Sequence, residues 1–408
     1  MKSLNKLVVF LGLIAALALL LGYSGCTRPG DQAPALPDAP AAEPEATPSP
    51  TTPTPAAPSG SADQMISRGV EMMNSGDIAG AKVQFEGAVR AAPNSAAAHY
   101  NLGLAREATG DLSGAVDSYR KAASLLSGFH EAEINLGSAQ IKKGDASAAI
   151  GHYRSMTQGN PADLDAWNNL GVAYMQNGSL REAEQAFRQA IRQDYKFVPA
   201  RINIGVLYLR QDKPGLALEV FERTKTLAPQ DPRLLYWIGV VWAELGDWDK
   251  ALTNFQRASQ GDPTFGDAHN NYGVALTKAG NFERAKTAFE KARQIDPSNA
   301  QVLVNLGAVK RYLGDVKGAE ADYKRSLTLD PRNAQAYYDL GVLYADHLNQ
   351  PDQAMKNFRN YYSLASGDPD RIDRVQKWIE QAEQDMQAPP PIEPEPPAGD
   401  TEQPPEGQ

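Results

Sequence analysis

Nine glycines, at 69, 103, 137, 171, 205, 239, 273, 307 and 341, stand 34 residues apart. A fixed period of that length is the signature of a repeat architecture, and it is hard to obtain by accident. With repeats set as 62–95, 96–129 and so on to 334–367, other positions fall into the same register. Twelve residues after the glycine stands an alanine: Ala81, Ala115, Ala149, Ala183, Ala217, Ala251, Ala285 and Ala319. Four residues later comes an aromatic: Phe85, Tyr119, Tyr153, Phe187, Phe221, Phe255, Phe289 and Tyr323. The ninth repeat keeps the register only with one inserted residue near Asn349-Gln350-Pro351, which places Ala354 and Phe358 one position late.

These residues resemble the tetratricopeptide repeat (TPR), a helix–turn–helix unit, over the whole of 62–367. The resemblance implies an all-α superhelical solenoid of nine repeats. Elementary packing agrees with it. Small residues at the glycine and alanine positions let the two helices of a repeat approach closely, with the aromatic beside them. Prolines at 93, 161, 229, 263, 297 and 331 separate one repeat from the next, where a missing N–H costs little. Gly-Asp and Gly-Asn pairs such as Gly76-Asp77, Gly246-Asp247 and Gly280-Asn281 end the first helix and cap the second. No unit can bury its own apolar face, so neighbours share a continuous core. Asp368-Pro369 opens one more helix, to about 387. Its stripe is Ile372, Val375, Trp378, Ile379 and Ala382, with Arg371, Arg374, Lys377, Glu380 and Glu383 largely off it. This reads as a terminal cap over 368–387.

The flanks differ in kind. Met1–Lys6 carries two lysines, and Leu7–Leu21 is an uncharged stretch of 15 residues, the pattern of an export signal rather than a permanent span. It ends in Gly22-Tyr23-Ser24-Gly25-Cys26, and Cys26 is the only cysteine. This resembles a bacterial lipoprotein signal, which implies removal of 1–25, lipidation of Cys26 and a place at a membrane surface. Tyr23 departs from the Leu-like residue usual in that family. Thr27, not being aspartate, favours the outer over the inner membrane. Residues 26–61 are rich in proline and alanine, with Leu36 as the one large aliphatic residue, and read as a disordered tether. Residues 388–408 hold 8 prolines and five acids and read as a second disordered tail.

Within this family the first helices line the concave surface, and the residue two before the glycine points into it. Here those residues are Ser67, Asn101, Asn135, Asn169, Asn203, Trp237, Asn271, Asn305 and Asp339. Helix propensity does not explain so many asparagines. A side-chain amide offers donor and acceptor together, which suits an extended peptide backbone. The row resembles the asparagine ladder of O-GlcNAc transferases, which implies peptide binding in the groove. The other reading is that Asn-Leu-Gly is common repeat background. Trp237 interrupts the row, with Tyr236 beside it and Tyr100 and Tyr338 at the equivalent place in other repeats; an aromatic there is either a binding anchor or a packing residue. Lys142, Arg210 and Lys278 end their helices, as a basic edge or as dipole partners. The lysines and asparagines of carboxylate-clamp repeats are absent.

Other functions are excluded by what is missing. His130-Glu131 opens like a zinc-protease motif, but Ile134 occupies the second histidine's place. No P-loop, dinucleotide fingerprint or Gly-x-Ser-x-Gly occurs. The sequence therefore predicts a non-enzyme without metal or cofactor. Residues 62–387 carry 37 basic against 40 acidic side chains, so no basic field exists to hold nucleic acid. The expectation is a periplasm-facing outer-membrane lipoprotein that binds segments of other envelope proteins. Type IV pilus assembly, gliding motility and recruitment of peptidoglycan enzymes are the settings. The alternative is a receptor or carrier for a soluble ligand in the groove.

Overall fold

The computed structural model describes residues 60–364 and 369–387. The signal segment, Cys26, nearly all of the tether and the acidic tail lie outside the described residues. Every described element is an α-helix. Through Ile295 they are α1 (Gly60–Asn74), α2 (Ile78–Ala91), α3 (Ala96–Ala108), α4 (Leu112–Leu125), α5 (His130–Lys142), α6 (Ala146–Gly159) and α7 (Leu164–Gln176). There follow α8 (Leu180–Gln193), α9 (Val198–Arg210), α10 (Pro214–Lys225), α11 (Pro232–Glu244), α12 (Trp248–Gly261), α13 (Gly266–Lys278) and α14 (Phe282–Ile295). A second compact unit begins at Asp296 and holds α15 (Ala300–Tyr312), α16 (Val316–Leu329), α17 (Ala334–Asp346), α18 (Pro351–Leu364) and α19 (Pro369–Gln387). Helix α1 takes in Gly60 and Ser61, which composition had assigned to the tether.

The glycine period has a direct cause. A Cβ on Gly273 would stand 2.7 Å from the Phe289 ring, and one on Gly307 equally close to Tyr323. All nine glycines meet the aromatic of their own repeat in this way. The aromatic is buried in every case, and the alanine four residues before it is fully buried. Helices therefore cross at backbone distance, and the ring fills the wedge beside the crossing.

Between the helices of a repeat the chain turns on a residue with positive φ, a glycine at 76, 110, 144, 178, 246, 280 and 314. In the fifth repeat Asp212 takes that place at φ 56, and in the ninth Asn349 does so at φ 50, within the inserted turn. The next aspartate caps the second helix: Asp77, Asp111, Asp145, Asp247 and Asp315 each accept the N–H of the residue three further on. Each such cap contributes about 1 kcal/mol.

The start of the first helix alternates. Ser95, Asp163 and Asp231 cap α3, α7 and α11 with a side-chain oxygen. Phe129, Phe197 and Phe265 stand at the equivalent place before α5, α9 and α13 and donate no cap. Two of these rings, each the last residue of its repeat, pack on a tyrosine of that same repeat instead, Phe129 on Tyr100 at 5.0 Å and Phe265 on Tyr236 at 4.9 Å. A 68-residue period thus overlies the 34-residue one through the seventh repeat; Asn333 ends it by capping α17 where the alternation would place a phenylalanine.

Apolar clusters cross repeat boundaries throughout the first unit. The largest runs from Ile134 to Val241 through repeats three to six. In the second unit α19 packs Val375, Trp378 and Ile379 on Tyr338, Phe358 and Tyr361, with Phe358 and Trp378 edge-on at 4.8 Å. Arg371 corrects the amphipathic reading of this helix. It is buried, its guanidinium donates to Gln335 at 2.7 Å and it lies 4.7 Å from the Tyr338 ring centre. Among the described residues no helix is long and apolar enough to cross a membrane.

Candidate functional site

The asparagine row is where the structure differs most from the groove expectation. Asn101, Asn135, Asn169, Asn203 and Asn305 are buried, Asn271 half-buried, and Tyr100, Tyr236 and Tyr338 are buried as well. The amides bind protein. Asn135 Nδ2 donates to Tyr100 Oη at 3.2 Å, Asn203 Nδ2 to Asn168 Oδ1 at 2.9 Å, and Asn271 Nδ2 to Tyr236 Oη at 3.1 Å. Each bond spans 35 residues and joins an odd repeat to the even repeat before it. Where the residue 35 places earlier is an isoleucine, Ile66 for Asn101 and Ile134 for Asn169, the pattern changes. Asn169 accepts from Asn168 at 3.3 Å, and Asn101 donates to its own helix at Ala97 O, 2.9 Å. Asp339 is fully buried, taking Gln335 Nε2 at 2.8 Å with Arg311 at 3.8 Å. The physical reason is that a buried amide costs several kcal/mol unless paired, and the neighbouring repeat is the nearest source of partners. Spacing places these residues on one face; it does not reveal the acceptor one repeat earlier.

The basic residues at the helix ends tie repeats by the same offset. Lys142 Nζ reaches Glu107 Oε1 at 2.9 Å and Arg210 Nη1 the Met175 carbonyl at 3.3 Å. Lys278 instead lies 5.5 Å over the Trp248 ring, its pKa lowered by burial.

Ser67 is exposed at the start of this face, and the sixth-repeat segment is partly open. Trp237, Val240 and Glu244 follow at i, i+3 and i+7 on α11, one stripe of a helix. Trp237 and Val240 are half-buried, and Trp237 stands edge-on to Tyr236 at 5.3 Å. Glu244 ends the helix, where the dipole disfavours negative charge, and no hydrogen bond or ion pair engages it among the described residues. Burial, then the nearby Asp212, raises its pKa to about 7. An indole edge and an unpaired carboxyl on one stripe are suited to a ligand that brings an apolar group and a cation.

Two further features escaped the sequence reading. His130 lies between the carboxylate that closes its own repeat and one in the next, Nδ1 at 3.4 Å from Asp163 and Nε2 at 4.0 Å from Asp165. Three ligand-type atoms of this trio lie within 4.8 Å of one another. Its pKa is raised by the carboxylate of Asp165 against the opposing effect of burial. The second feature is a row of equivalent bonds between repeats. His99, Trp167, Arg201 and His269, at one repeat position, each meet the carbonyl six residues back, at Pro93, Pro161, Tyr195 and Pro263.

Family models of the tetratricopeptide repeat match residues 68–128, 134–196, 173–232, 202–264, 243–308, 309–347 and 334–368. No curated protein matches the chain. Among solved structures, the Cut9–Hcn1 hetero-tetramer of APC/C aligns over 79% of this chain and 76% of that one, with TM-score 0.55 and 13% identity. A TPR protein from Parabacteroides merdae covers 61% of this chain and 99% of its own, with TM-score 0.48 and 21% identity. The pilF protein of Pseudomonas aeruginosa covers 52% and 96%, with TM-score 0.47 and 20% identity. At these identities the likeness is one of fold. The chain belongs to the tetratricopeptide repeat family, an all-α fold that serves as a scaffold for protein–protein interaction.

Proposed function

We propose that this chain is an exported, lipid-anchored scaffold of the bacterial envelope that holds segments of other envelope proteins and has no catalytic activity of its own. The carrying observation is the single cysteine, Cys26, which follows Gly22-Tyr23-Ser24-Gly25 after the apolar run Leu7–Leu21, itself preceded by Lys2 and Lys6. Two acyl chains at Cys26 would hold the chain at a bilayer, and residues 26–59, extended by their prolines, would set the repeats at on the order of 100 Å from it. Thr27 favours the outer membrane and a periplasmic placement. Help in assembling a pilus or gliding complex, or the gathering of peptidoglycan enzymes, fits such a placement.

Within the repeats, the working residues of this reading are Trp237 and Glu244 rather than the asparagines. Asn135, Asn203 and Asn271 use their amides between repeats, and their contribution to binding is to hold the face rigid.

Cell fractionation of Cys26→Ser tests the anchor. Release into the soluble periplasmic fraction, with loss of labelled palmitate, is the expected result; an unchanged membrane pellet would remove lipidation from the reading. Photo-crosslinking in living cells from Trp237, with Arg257 on α12 as the comparison site, tests the face. Capture of a distinct envelope protein from Trp237 alone is expected. Equal capture from both sites would transfer the function to other surfaces.

A further inference from the structure

A cavity of ≈ 410 Å³ is lined by α8, α9 and α10, where the fourth repeat meets the fifth. It lies away from the asparagine face. Arg201, Ile204 and Tyr208 line it at i, i+3 and i+7 on α9, and at about 100° per residue Asn203 stands roughly opposite that stripe. Its apolar part is formed by Ile204, Val220 and Leu216, the last 46% exposed.

Four guanidiniums surround this apolar patch: Arg188, Arg192, Arg201 and Arg223. Two have partners within their own helices, Arg188 with Glu184 at 2.7 Å and Arg223 with Glu219 at 2.6 Å, and Glu219 also lines the cavity. Arg201 uses Nε on the Tyr195 carbonyl at 2.7 Å, which leaves its terminal amino groups. Neither Arg192 nor Arg201 meets a carboxylate among the described residues.

This concentration is not a property of the repeat. The same four places are Arg120, Ser124, Glu133 and Ser155 where repeats two and three meet. They are Gln256, Gln260, His269 and Lys291 where six and seven meet. Four arginines on one junction of a near-neutral body hold a local positive field whose own acids only partly offset it. Arginine matches carboxylates in forked geometry and is a favoured energetic anchor at protein interfaces.

We propose that this junction binds an acidic peptide segment of a partner protein. One large aliphatic side chain rests on Ile204, Val220 and Leu216, and flanking carboxylates pair with Arg192 and Arg201. Charge complementarity carries the choice of occupant. The cations stand on three helices around the patch, which suits charges spaced along an extended chain better than one lipid head group.

The test uses the full chain and fluorescence anisotropy with a labelled peptide bearing glutamates around a central leucine. The probe's neutral twin carries glutamines instead. The glutamate peptide is expected to bind, the glutamine twin at least about tenfold more weakly, with affinity falling as salt rises. Arg192→Glu reverses a surface charge that has no partner and should cost about tenfold or more, whereas Arg192→Lys should retain most binding. Leu216→Ser should weaken binding, and Trp237→Ala should leave it unchanged, which separates this junction from the face proposed above. Circular dichroism of each variant reports that the fold is intact. Equal affinity for both peptides, or an Arg192→Glu variant that binds normally, overturns the proposal. So does sedimentation with phosphatidylglycerol vesicles through Arg192 in the absence of peptide binding.

Discussion

At the residue scale, two positions turn geometry into measurable consequences. On Gly205 a Cβ would fall into the Phe221 ring, the tightest approach of the nine, whereas on Gly215 it would meet nothing within 4 Å. Gly205→Ala should therefore destabilise by about 1–3 kcal/mol or more, since neither helix can retreat without opening its neighbours. Gly215→Ala, in the first turn of α10, should be neutral or stabilise by up to about 1 kcal/mol. Urea unfolding, with hydrogen exchange to localise the loss to α9 and α10, distinguishes the two. Glu244 gives a pH test. Its folded-state pKa, about 7, lies above the ordinary glutamate value, so the folded state binds the proton more tightly. The stability that goes with that proton is present below about pH 4.5 and is lost as pH rises toward 7. Glu244→Gln should raise the thermal midpoint at pH 8 and leave it little changed at pH 4; an equal shift at both would show that ionisation is not the cause. Glycine, alanine and aromatic positions were legible because steric demands repeat with the chain. The state of Glu244 was not, because it follows from its burial and from Asp212, which the fold brings near it from the repeat before.

Between elements, the structure depends on contacts at a 35-residue offset that period-counting along the chain does not display. The row of Asn135, Asn203 and Asn271 was visible as a row, and its amides were read as groups for a peptide backbone, whereas in the structure they donate to the neighbouring repeat. The partners Tyr100, Asn168 and Tyr236 were not, since each sits one place off the register in the repeat before. Arg371 was misplaced for a related reason: a helical wheel sets it beside polar residues, but Gln335 and the Tyr338 face supply what a buried guanidinium needs. His130 shows the same kind of contact in a titratable form, joining α5 to the start of α7. Its folded-state pKa lies above the ordinary 6.5, so its contribution is fully present below about pH 6.5 and disappears as pH climbs through the raised value. His269 and His347 are shifted the other way by burial, so the raw pH curve mixes opposite signs. The difference between wild type and His130→Gln isolates the clasp. The gap in thermal midpoint should be wider at pH 5.5 than at pH 8.5, and a gap independent of pH would mean that the ring acts by packing alone.

For the molecule as a whole, the 34-residue period makes stability nearly a sum of nearest-neighbour terms, while the 68-residue alternation makes those terms unequal. Three of the four even-to-odd junctions carry an amide bond across the boundary, and two of those three stack a phenylalanine on a tyrosine, whereas the junction of repeats eight and nine sets Val304 before Asp339. Odd-to-even junctions place Ile134 before Asn169 and Ile202 before Trp237, with aspartates 163 and 231 as helix caps. The repeat is therefore not the unit that can be removed without cost; the pair is. Deleting 164–231 joins Asp163 to Pro232, sets Ile134 against Trp237 as Ile202 is now, and keeps an aspartate cap on α11. Deleting 164–197 joins Asp163 to Val198 and sets Asn203 against Ile134, with Asn168 gone. The orphaned amide costs about 1–3 kcal/mol, toward the lower end if Asn203 turns to its own helix as Asn101 does. The shorter deletion should thus give the less stable protein, with faster hydrogen exchange concentrated in α9, although it retains one repeat more. Equal unfolding midpoints, or a more stable 164–197 deletion, would show that the alternation is decorative and that every junction is interchangeable. The paired reading also limits where such a chain can lengthen or shorten: within repeats two to seven, changes by two repeats preserve the boundary types, and changes by one require a new acceptor at the seam.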